Sequence, residues 1–118
     1  MIKAGFCQFY KYLYWGEGVK KRKLVKWKLL RGSGQFTIFC ITRPLMGTDQ
    51  LDIIHCAFLK QEYYRYNPAF IYGIASSYEE ALDIVVEISK EASEAGMDGR
   101  LIDYLESRQS GTVVGSGI

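Results

Sequence analysis

The chain has 118 residues, of which 48% are hydrophobic and 24% charged, and its net charge is +2. This length and balance give one domain with its own core and exclude a globally disordered chain. Three scattered cysteines without a C-x-x-C spacing exclude a disulfide framework, and no run of about 18 apolar residues offers a membrane span.

The small net charge hides a segregation. Residues 1–34 hold nine basic groups against Glu17 alone, whereas residues 77–118 hold three basic and nine acidic groups. Such asymmetry points to nucleic-acid or membrane contact, to head-to-tail self-association, or to neutralisation within the fold. Reduced thiols and the interruption of residues 1–15 by Gln8 and Lys11 place the protein in the cytoplasm.

In chain order, residues 5–15 are aromatic without a helical period and predict a strand. Gly16-Glu17-Gly18 breaks it. Residues 20–31 open with four cations and continue as alternating cationic and large apolar side chains. That alternation predicts a second strand at 23–31, paired with the first as a hairpin. Residues 35–42 (QFTIFCIT) predict a third strand, ended by Arg43-Pro44, since proline cannot donate to a ladder. A fourth strand at 51–60 and a short fifth at 69–74 follow. Strands three and four are apolar on both faces, which marks them as central.

The strongest local signal is a helix beginning at Ser77. Ser77 with Glu80 forms a capping box, and Ala81, Leu82, Val85, Ile88, Ala92 and Ala95 recur at helical spacing. Gly96 is the expected stop. A shorter helix is predicted at 100–106. The expected architecture is α+β, an antiparallel sheet of four to five strands followed by one long amphipathic helix and a short C-terminal helix. Residues 1–106 form the domain and 107–118 a flexible tail in which Val113 and Val114 could extend an edge.

Little in the sequence resembles a catalytic set. His55 is the only histidine, and Cys56 beside it on a strand would point to the opposite face. Cys40 and Cys56 are the only candidate nucleophiles, and neither has an evident orienting group. One histidine and three separated cysteines fit no common metal-ligand spacing. Gly32-Ser33-Gly34 lacks the pattern of a phosphate loop. No enzyme, cofactor or metal is expected.

The candidate binding residues are therefore Lys20, Lys21, Arg22, Lys23, Lys26, Lys28 and Arg31, with Tyr10 and Tyr12. In the expected hairpin, Val25, Trp27 and Leu29 face the core. One register sets Lys26 and Lys28 among Tyr10, Tyr12 and Tyr14; a slip of one residue sets them beside Phe9, Lys11 and Trp15. A second apolar sheet face without a helix to cover it calls for another copy of the chain. The expectation is thus a non-enzymatic interaction module, homodimeric through its sheet. The alternative is single-stranded DNA or RNA, whose phosphates would follow the lysines while bases stack on the rings. An acidic protein would suit the same cations, and no membrane contact is expected.

Overall fold

The elements follow from their local sequences. β1 (Cys7–Trp15) is the aromatic run, and α1 (Arg22–Leu30) is the lysine-rich segment. β2 (Phe39–Thr42) and β3 (Asp52–His55) form an antiparallel hairpin, with Cys40 opposite Ile54 and Phe39 opposite His55. A 3-10 turn (Cys56–Lys60) leads on to β4 (Ala69–Ala75), α2 (Tyr78–Glu94) and α3 (Leu101–Ser110). The computed structural model describes residues 7–30, 37–44, 50–60 and 66–110. Arg31, the start of the expected third strand at 35–36, Tyr63, Tyr64, Val113 and Val114 lie outside the described residues.

The class is α+β, as the sequence implies, but the sheet is mixed. Its order is β1-β4-β2-β3, with β1 parallel to β4 and β4 antiparallel to β2. The expected first hairpin does not exist, because residues 22–30 are helical. Lys, Arg and Leu all have high helix propensity, and Val25 and Leu29, four apart, supply one inward face. The cation–apolar alternation that suggests a strand is equally compatible with this helix. Parallel neighbours need a long crossover, and here α1, β2 and β3 together make it.

The centre of the sheet also moves. β4 reads AFIYGIA, apolar almost throughout, and lies between β1 and β2. β3 is an edge strand that ends at His55, so the expected strand over 51–60 is cut short by the 3-10 turn.

Each sheet face has its own core. On one, α1 places Val25 and Leu29 against Cys7, Cys40, Ile71 and Ile74. On the other, Ile84, Ile88 and Ala92 of α2 and Leu101 and Leu105 of α3 pack against Tyr10, Ile41 and Tyr72. The face that the sequence leaves bare is therefore the seat of α1.

α2 begins as expected. Ser77 is extended (φ −151°) and its hydroxyl accepts from the Glu80 amide at 3.1 Å. The other half of the box differs: the Glu80 carboxylate accepts from the Ser76 amide at 2.7 Å, the Ser76 hydroxyl at 2.8 Å and the Gly18 amide at 2.8 Å. The cap thereby ties α2 to the loop after β1. A side chain at Gly16 would meet Glu80 Oε1 at 2.0 Å, which accounts for a glycine there. The helix ends in a Schellman turn, with Gly96 at φ +79° and the Met97 amide donating to the Ala92 carbonyl at 2.8 Å. α3 runs to Ser110 rather than stopping at 106, so the first residues of the expected tail are helical.

Candidate functional site

α1 starts against the usual rules for helices. Lys21, whose carbonyl accepts the first helical bond from the Val25 amide at 3.0 Å, has φ +52°, and no acidic residue occupies the first turn. Left-handed backbone at a side-chain-bearing residue costs about 1–2 kcal/mol. Cations at Lys20, Lys21, Arg22 and Lys23 also sit where the helix dipole is already positive. Nine residues alone would be a marginal helix. Packing holds it: Val25 and Leu29 are buried, the Arg22 guanidinium lies 5.1 Å from the Trp15 ring centre, and Lys26 Nζ lies 5.0 Å from that of Phe9. Each stacked cation contributes about 0.5–1 kcal/mol at such sites.

The outward side of α1 mixes charge with apolar surface. Lys20, Lys21 and Lys23 are exposed, Lys28 is half-buried, and Trp27 is 53% exposed beside exposed Leu24 and Leu30. This corrects the sequence expectation for Trp27, which is not on the core stripe with Val25 and Leu29. In a strand the three would share a face; in a helix, Trp27 is turned well away from both.

The structure thus places Lys20, Lys21, Arg22, Lys23, Lys26 and Lys28 on and just before one helix, and sets Arg22 over Trp15 and Lys26 over Phe9. Arg31 lies outside the described residues. Tyr10 and Tyr12 do not belong to the group. Tyr10 is buried on the opposite face, its hydroxyl donating to the Leu105 carbonyl at 2.5 Å. Tyr12 is partly exposed, with the Arg108 guanidinium 5.0 Å and Lys11 Nζ 5.4 Å from its ring centre. Of the two registers read from sequence, the cations meet the Phe9 and Trp15 side, through a helix rather than a strand.

The tyrosines of β1 serve a different purpose. The Tyr14 hydroxyl donates to Glu91 Oε1 at 2.5 Å, and Tyr104 donates to the same oxygen at 3.0 Å. Arg108 Nη1 donates to the Tyr14 hydroxyl at 2.5 Å and stands 3.7 Å from Glu91 Oε1. Burial pushes the Tyr10 hydroxyl up to about 12; burial and then the bond to Glu91 push Tyr14 up as well. Both are neutral donors at physiological pH. Nearby, Arg43 donates to the Tyr72 hydroxyl at 3.1–3.2 Å and pairs with Glu106. This network locks α2 and α3 onto β1 and β4. The sequence signal for it is weak, because its members are up to 94 residues apart.

Cys7, Cys40 and Cys56 lie within the α1-side core, all buried as thiols. Burial pushes the Cys7 thiol up to about 12 and Cys40 well above its ordinary value, with the neighbouring thiols adding to the second. Neither is a thiolate near neutral pH, as a nucleophile must be. The expectation that His55 and Cys56 point apart does not hold, since the strand ends between them: Cys56 Sγ is 3.9 Å from His55 Nδ1. That nitrogen accepts a bond from the Ala57 amide at 3.0 Å, and Cys56 is 1% exposed.

A cleft of about 440 Å³ opens at the end of the sheet where β1 and β4 begin, lined by Gln8, Arg43, Asp52, Asn67 and Phe70 among others. The Arg43 guanidinium there is already engaged by Tyr72 and Glu106. No helix among the described residues is long and apolar enough to cross a membrane. No family model matches the chain, and neither a curated protein nor a solved structure does.

Proposed function

We propose that the protein is a non-enzymatic interaction module whose working surface is α1, which presents its cations and exposed apolar side chains to an acidic protein surface. The observation that carries this reading is the start of α1. Four cations crowd the positive end of a helix that lacks an acidic first turn. Of these, only Arg22 is set over a ring among the described residues, that of Trp15, while Lys20, Lys21 and Lys23 are exposed, and a local arrangement that runs against folding rules is the expected mark of a functional site. An acidic partner relieves it, and Trp27, Leu24 and Leu30 supply apolar contact beside the charges.

A second reading, single-stranded nucleic acid, is favoured by one feature: an exposed tryptophan set among lysines, the side-chain pair that stacks bases and follows phosphates. One experiment separates the two. Binding of a labelled poly-glutamate peptide and of a labelled oligonucleotide is measured at two salt concentrations, for the natural chain and for Lys20→Glu/Lys21→Glu/Lys23→Glu. Under the main reading both polyanions bind at low salt, and Trp27→Ala weakens them equally. Under the second, Trp27→Ala selectively weakens the oligonucleotide, and the triple variant lowers its salt slope by about 2. Binding of neither polyanion at low salt removes both readings.

A further inference from the structure

We infer that the acidic surface recognised by α1 is the outer side of α2 on a second copy of this chain, so that copies dock basic helix on acidic helix. The inference rests on the reading of α1 as the working surface and adds its partner.

α2 buries Ala81, Ile84, Ile88 and Ala92 and turns two parallel rows outward. One row is Tyr78, Leu82 and Val86, four residues apart, with Leu82 42% and Val86 51% exposed. The adjacent row is Glu79, Asp83 and Glu87, all exposed. Three large apolar side chains in line on a charged helix are more than scattered surface apolarity requires. α1 has the same design with the sign reversed: Leu24, Trp27 and Leu30 exposed, with Lys20, Lys21 and Lys23 alongside. Placed together, the apolar rows cover each other and cations meet carboxylates, the arrangement of an apolar centre with a charged rim.

The fold dictates what such a contact would build. α1 and α2 belong to cores on opposite faces of the sheet. A copy that has used α1 still presents α2, and the contact is heterologous. Heterologous contacts grow into open chains unless their rotation closes a ring. Growth of this kind differs from the two-fold dimer through a bare sheet face, which α1 now covers.

The test uses the whole chain and exposed positions only. Lys20→Glu/Lys23→Glu reverses the α1 rim, and Asp83→Lys/Glu87→Lys reverses the α2 rim. Circular dichroism confirms that each variant keeps its helices. Sedimentation velocity then follows the mass across a concentration series. For the natural chain the average mass climbs with concentration without stopping at a dimer and falls as salt is raised. Each variant alone associates at least about tenfold more weakly, as expected when rim attraction becomes repulsion. Mixed one to one, the two variants recover assembly, because each carries the complement of the other's reversed helix. A natural chain that stays monomeric while α1 still binds poly-glutamate overturns this inference and leaves the reading of α1 standing. Undiminished assembly of either variant, or a mixture that stays monomeric, also overturns it.

Discussion

On one side of the sheet, α2 and α3 are pinned by directional bonds: Tyr10 to the Leu105 carbonyl, Tyr14 and Tyr104 to Glu91, and Arg108 across the group. On the other, α1 rests on two buried apolar side chains and on two cations lying over aromatic rings. A hydroxyl bonded to a partner 95 residues away fixes one arrangement of the helices. Apolar contact and stacked cations are less exacting about orientation and leave the outer side of the helix available. On the proposed reading of α1, the difference separates a scaffold face from a working face.

Truncating the apolar contacts on the two sides should have the largest effect. Leu105 and Leu29 are 0% and 1% exposed, and each Leu→Ala change should cost about 2–5 kcal/mol in denaturant unfolding. Leu105→Ala should lie at the upper end, because loosening α3 also disturbs the acceptor of Tyr10. A cost below about 0.5 kcal/mol for Leu29→Ala would mean that α1 is not seated on the sheet.

The next effect breaks the directional side alone. Glu91→Ala takes the acceptor from Tyr14 and Tyr104 and the countercharge from Arg108, at about 1–3 kcal/mol. Poly-glutamate binding should be unchanged, since α1 lies on the other face. Gly16→Ala should follow, at about 1–2 kcal/mol. The new methyl displaces the Glu80 carboxylate, and its cost should not add to that of Glu80→Ala, because both changes lose the same bonds.

The smallest effect is a pH dependence at that cap. Burial acts to raise the Glu80 pKa, but hydrogen bonds from the Ser76 and Gly18 amides and the Ser76 hydroxyl outweigh it and hold the carboxyl below its ordinary value. A depressed folded-state pKa contributes stability that is present above the unfolded value and lost as pH falls through the folded one. The stability gap between the natural chain and Glu80→Gln should therefore be full near neutrality and shrink in acid. A gap that widened in acid would contradict this assignment.

Elements defined by local chemistry were legible in the sequence. β1, β4 and α2 with its Ser77 cap and Gly96 stop appear where their patterns place them. Residues 22–30 were not, because lysine stems and leucines satisfy a period of two and a helical stripe equally well, and helix propensity decided between them. Nor was the mixed sheet, since nothing local to Cys7–Trp15 signals pairing with Ala69–Ala75. Of the candidate site, the cation cluster was legible as composition. Its separation from Tyr10 and Tyr12 required knowing that α3, through Leu105 and Arg108, occupies their side of β1.

The most direct test of α1 as the working face is an NMR titration of the isotope-labelled chain with poly-glutamate peptide. Amide shifts should move at residues 20–30 and leave Tyr14, Glu91 and Arg108 in place. Shifts centred on α3 or on the cleft at Arg43, with α1 unmoved, would contradict it.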